Sequence, residues 1–166
     1  NSMPTLNEYI LEYKKQIEKG YIDKAYKGIM EFMMNLRTYF QNKYPFYFVS
    51  GNIYQGYMDM TYFSFIPESF KKNKLKIAIV FIHDTISFEV WLAGYNKQIQ
   101  AKYRNLFKDN SKFPVTDTIQ GNDYIIKNTL TNNPNFDNFN SLTDVIEIGV
   151  LNFIDEITTF LSFDCI

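Results

Sequence analysis

The sequence has one cysteine and one histidine in 166 residues, and each shortage closes a route to function. Cys165 has no partner for an internal disulfide and cannot build a cysteine-based zinc site. With no cation nearby to lower its pKa, it reads as an incidental tail residue. His83 alone cannot supply a multi-histidine metal site or a histidine-dependent triad, and its place beside a turn reads as solvated. No apolar run approaches the roughly 20 residues that cross a bilayer, and the best, residues 77–82, fits a buried strand. No basic segment followed by an apolar signal core opens the chain, so a cytoplasmic location is expected, with no membrane contact. A phosphate-binding glycine loop, a nucleophile elbow, a zinc-protease helix and a calcium loop are all missing, so neither cofactor nor metal is expected.

What is abundant is aromatic. Phe and Tyr make most of an 18% aromatic content, more than packing alone demands, and Tyr suits pocket walls and interfaces as well as the core margin. Asn1 and Ser2 precede Met3 and read as a leftover ahead of the native start, which leaves residues 3–166 as one domain of common size. The net charge of -1 conceals an uneven split, +6 over residues 1–114 and -7 over residues 115–166. The simplest consequence is that the two portions attract each other across one fold.

Leu6, Tyr9, Ile10, Tyr13 and Ile17 recur at helical spacing and are followed by Gly20, a residue suited to a left-handed cap. A second stripe, from Ile22 through Ile29, Phe32, Met33 and Leu36 to Phe40, ends before Pro45, so an αα-hairpin is predicted. From Phe46 the period changes to two, and four strands are expected, involving Val49 and Ile53, residues 57–66, residues 75–83 and residues 86–93. Their connections are too short for parallel crossovers, so the sheet is antiparallel. Asn96 opens a further helix with Ile99, Tyr103, Leu106 and Phe107 inward. Residues 109–120 read as a loop and residues 123–130 as a short helix. Ser141 with Asp144 resembles a capping box for a last helix carrying Leu142, Ile146, Val150, Phe153 and Ile157. The fold class is α+β: an antiparallel sheet of about four strands, preceded by the hairpin and followed by packed helices.

The segments AYKGIMEFMMNLRTYF (25–40), YQGYMDMTYFSF (54–65) and FEVWLAGYNKQIQ (88–100) resemble an uncharacterised bacterial family of small single-domain proteins, classed only as a domain of unknown function. The resemblance spans residues 5–155 and implies no activity that could be assigned to particular residues.

The candidate site comes from residues 75–93. With a turn at Asp84 and Thr85, Phe81, Ile79 and Ile77 face Phe88, Val90 and Leu92, while Ile82, Val80 and Ala78 face Ser87, Glu89 and Trp91. Glu89 is then a carboxylate among hydrophobes, which must be paired, hydrogen-bonded or protonated. Asp59 lies between Met58 and Met60 and could share a face with Tyr57, Thr61 and Phe63. The two carboxylates could form a metal or general acid/base pair. Alternatively Arg37, Lys97, tyrosine hydroxyls or backbone satisfy each one, the reading favoured because structural networks hold carboxylates too. Their order on successive strands resembles restriction-endonuclease-like nucleases, but Glu89-Val90 leads to Trp91 where that pattern has lysine. Trp91, with Tyr54, Tyr57, Tyr62 and Tyr95, could instead line an aromatic pocket.

Lysines 71, 72, 74 and 76 and the outer face of the helix from Asn96 form basic patches, yet a near-zero net charge argues against nucleic acid as the main partner. The leading expectation is a binding or regulatory domain with an aromatic groove around Glu89 and Trp91, edged by Asp59, Tyr57, Arg37, Asn96 and Lys97. Its ligand would be a small polar molecule or a partner protein. A metal-dependent hydrolase using Asp59 and Glu89, and a structural or oligomeric module, are the alternatives.

Overall fold

The computed structural model describes residues 2–110, 112–113 and 123–163. Cys165 and most of the loop expected over 109–120 lie outside them. Helices α1 (Leu6–Lys19) and α2 (Tyr21–Lys43) form the hairpin predicted from their stripes. Thr5 and Glu8 close a capping box at its start, and Gly20 makes the turn with φ 75°, a conformation that favours glycine. Strands β1 (Tyr54–Gln55), β2 (Met60–Phe65), β3 (Leu75–Ile82), β4 (Ser87–Gly94) and β5 (Ile126–Thr131) make one antiparallel sheet in sequence order. A short α3 (Glu68–Lys71) joins β2 to β3, α4 (Lys97–Phe107) follows β4, and α5 (Phe139–Leu161) closes the described chain.

One face of the sheet carries Phe63, Phe65, Ile77, Ile79, Phe81, Phe88, Val90 and Leu92, all buried. They pack with Phe32, Met33, Leu36 and Phe40 of α2 and with Leu142, Ile146, Val150, Phe153 and Ile157 of α5 in one core. The β3–β4 pairing has the expected register residue for residue, from Ile82 opposite Ser87 to Ile77 opposite Leu92. Alternation therefore leaves Val80, Ala78, Glu89 and Trp91 on the opposite, outer face.

Four expectations are corrected. Residues 126–131 form β5 rather than a helix, because Ile126, Thr129 and Thr131 suit the edge that β4 would otherwise leave unpaired. The register shifts between Phe88 and Glu89, and on α5 a Cβ at Gly149 would lie 2.5 Å from Leu130 Cδ2, so glycine makes room for that leucine. Residues 46–53 are not a strand: Pro45–Tyr47 is a 3-10 turn, the Ser50 N–H reaches the Ser64 carbonyl at 2.9 Å, and the ladder with β2 is made by Tyr54–Gln55. α5 starts at Phe139, before Ser141, because Asn138 Oδ1 accepts the Ser141 N–H at 3.0 Å as the cap. Leu106 of α4 is half exposed, whereas Tyr103 and Phe107 are buried as expected.

Candidate functional site

On the outer face, Trp91 and Glu89 follow each other on alternate positions of β4, opposite Ala78 and Val80. Trp91 Nε1 donates to Glu89 Oε1 at 2.9 Å, and Lys127 of β5 reaches both carboxylate oxygens at 3.3 Å. Tyr124 packs its ring 4.9 Å from the indole, and the Lys127 ammonium sits 5.3 Å from the centre of the Tyr124 ring. Trp91 is 8% exposed and the Glu89 side chain 14%. Glu89 is thus a satisfied carboxylate in a largely dry setting, the arrangement that burial of a charge requires. Its cation comes from β5, not from Arg37 or Lys97.

Beside this cluster the outer face opens. Gly94 ends β4, Asn96 caps α4 by accepting the Ile99 N–H at 2.9 Å, and Gln100 folds back so that its Oε1 accepts the Gly94 N–H at 2.8 Å. A Cβ on Gly94 would lie 2.7 Å from the Gln100 nitrogen, so the close approach of α4 to the sheet depends on glycine here. Between α4 and the end of the sheet lies a cleft of about 840 Å³, with Lys76, Asn96, Lys97, Arg104, Lys108 and Asp123 among its lining residues. Arg104 Nη1 donates to the Tyr124 carbonyl at 2.9 Å, which ties the cleft wall to the ring covering Trp91. The lysines at 76, 97 and 108 make no ion pair among the described residues.

The remaining candidates go elsewhere. Asp59 is exposed in the turn before β2, where its carboxylate accepts its neighbour's N–H from Met60 at 2.7 Å. It sits at the β2 end of the sheet, whereas Glu89 lies two strands away on β4 with Trp91 and Lys127 as its partners, so the two carboxylates do not converge. Tyr57 is 91% exposed in the same turn, Tyr95 is also exposed, and Tyr54 stacks on Tyr62 at 4.9 Å along the β1–β2 edge. Arg37 belongs to α2 on the inner side, where Nη1 reaches the Ser50 carbonyl at 3.4 Å and the buried Nε has no partner in the described structure. Among the described residues no group of three acidic, histidine or cysteine side chains is placed to hold a metal ion. His83 is half-buried rather than solvated: its Nε2 is 2.8 Å from Thr61 Oγ1, and its ring packs on Phe81 and Tyr26. Burial lowers its pKa, against the opposing pull of the Asp59 charge.

Sequence reasoning missed a second polar cluster. Glu147 of α5 is buried with its side chain 9% exposed, and it accepts hydrogen bonds from Tyr39 at 2.8 Å and from Tyr44. Lys43 lies 2.8 Å from the same carboxylate and 3.0 Å from the Tyr39 hydroxyl. Burial pushes the Glu147 pKa up, but Lys43, Tyr44 and Tyr39 together outweigh it and hold the carboxyl below its usual range. The same contacts raise Lys43, and burial together with the bond to Glu147 raises Tyr44. Glu147 lies three residues before Val150 and seven before Ile154, so helical spacing does put it beside the apolar stripe. Its partners lie more than a hundred residues away on α2 and the turn after it, and one sequence carries no signal for such a meeting.

No helix of the described residues is long and apolar enough to cross a membrane. No curated protein and no solved structure matches the chain. A family model does match, over residues 6–161, which is nearly the whole sequence, and the chain accordingly belongs to the family described as Domain of unknown function (DUF7000).

Proposed function

We propose that this chain is a binding domain whose cleft between α4 and the outer face of the sheet receives a small anionic ligand. The observation that carries the reading is the charge in that cleft: Lys76, Lys97, Arg104 and Lys108 surround it, with Asp123 the one acidic residue among its described lining residues. A chain with a net charge of -1 that gathers four cations around one concavity has a local potential opposite in sign to its whole. The size suits a metabolite, since ligand sites commonly enclose about 300–1,000 Å³. Trp91, Glu89 and Tyr124 serve as the rigid wall beside it, because Arg104 holds the Tyr124 carbonyl and Tyr124 covers the indole. The expected aromatic groove becomes in this reading a packed aromatic wall, and Asn96 and Lys97 are the expected residues that reach the cleft. A hydrolase using Asp59 and Glu89 is disfavoured, because Asp59 is an exposed turn residue before β2 while Glu89 is two strands away and already bonded to Trp91 and Lys127.

Thermal-shift titration with inorganic phosphate, nucleoside monophosphates and dicarboxylates tests the proposal. A ligand at a hundred times its Kd stabilises by about 2.7 kcal/mol, which for a domain of this size raises Tm by roughly 5–10 °C. The paired variant Lys97→Glu/Lys108→Glu, both exposed, should abolish the rise while leaving the unliganded Tm within about 1–2 °C, as for exposed substitutions. A rise that survives in the variant, or no rise with any of these anions, would overturn the assignment.

A further inference from the structure

Helix α1 buries none of its residues, although it is amphipathic, capped at both ends and packed along the start of α2. Leu6, Tyr9, Ile10, Tyr13 and Ile17 are between 47% and 73% exposed, and Tyr21 and Ile22 continue the patch at 73% and 48%. With Tyr26, these side chains leave on the order of 800 Å² of mostly apolar surface open. That exceeds the largest patch of a typical monomer, about 300–600 Å². It equals one partner's share of a standard interface, about 800 Å².

We propose that the α1–α2 hairpin is a homodimerisation element, with a second copy of this chain as its occupant. Two hairpins related by a two-fold axis would bury these patches against each other as a four-helix bundle, the isologous arrangement in which one patch serves both partners. Area and charge both fit this occupant. The hairpin from residue 6 to residue 28 carries four acidic and five basic side chains, and pairs such as Lys27 with Asp23 at 3.1 Å and Lys14 with Glu18 at 3.8 Å neutralise several locally. Two nearly neutral surfaces do not repel each other. An anionic membrane, which attracts at about 1 kcal/mol per surface Lys or Arg, gains little from them. The cleft beside α4 belongs to other elements, so this association does not depend on the ligand proposed above.

Sedimentation equilibrium of the whole chain gives the test, because one copy weighs 19.7 kDa. The wild type is expected at twice that mass at micromolar concentration, with a Tm that rises with protein concentration as mass action requires. Ile10→Glu combined with Ile17→Glu puts four charges into the interface and should weaken association by roughly 100-fold or more. Both side chains are about half exposed, so the variant should keep the wild-type far-UV circular dichroism. A wild type that stays monomeric at 100 µM overturns the proposal, as does a dimer that withstands the double substitution. Flotation of the wild type with vesicles of phosphatidylcholine and phosphatidylglycerol, without self-association, would assign the patch to a lipid surface and equally overturn it.

Discussion

Replacing Glu147 with alanine should be among the more damaging single changes available in this protein. The carboxylate is the common acceptor for Tyr39, Tyr44 and Lys43, and it joins α5 to the end of α2 and the turn that follows. Hydrogen bonds to a charged acceptor contribute about 1.5–3 kcal/mol each, so losing the two tyrosine bonds alone costs about 3 kcal/mol at the lower bound. For a domain of this length that lowers Tm by roughly 6–12 °C. Differential scanning calorimetry at neutral pH reads the loss directly. The isosteric Glu147→Gln variant adds a check through acidity. Because the folded carboxyl titrates below the unfolded value near 4.5, its contribution is complete above that pH and disappears as the pH falls through the folded pKa. The gap in Tm between wild type and Glu147→Gln should therefore be constant from pH 7 to about pH 5 and narrow towards pH 3. A gap that is the same at pH 3 and pH 7, or an alanine variant within 2 °C of wild type, would show that the cluster carries no charge-assisted stability.

Two further outcomes follow from local geometry. Gly94→Ala sets a methyl group 2.7 Å from the Gln100 backbone nitrogen, which cannot swing away as a side-chain tip can. It should destabilise by about 1–3 kcal/mol, as overpacking does, and remove anion binding at the cleft, both measurable in one thermal-shift series. His83 should titrate below 6.5 by NMR because burial outweighs the nearby Asp59 charge. A depressed folded pKa means stability present above pH 6.5 and lost as the pH falls through the folded value, a loss that His83→Gln should remove.

The pairing of β3 with β4 was legible because apolar alternation on both strands and a short connection leave one register that buries Phe81, Ile79 and Ile77 together. The same reasoning placed Glu89 beside Trp91 on the other face, since alternation carries a polar residue along with its neighbours. It could not supply Lys127, because β5 resembled a helix: Ile125, Ile126 and Leu130 stand at spacings of one and four, which either period accommodates. Asp59 and Tyr57 were misplaced because the strand was extended backwards into a turn. That turn includes Met58 at φ 60°, a conformation that alternation cannot register. The stripe of α1 marks a helix, but periodicity reports which residues share a side and not what lies against it, so the exposure of that side is not legible in the sequence.

The order β1-β2-β3-β4-β5 also constrains how the molecule assembles. The first four strands meet through near neighbours in the chain, whereas β5 arrives only after some 30 residues that include α4, a closure whose entropy cost grows with length. Until it docks, β4 presents bare amide and carbonyl groups along the rim that carries Glu89, and a nascent chain is most open to mispairing with another at that rim.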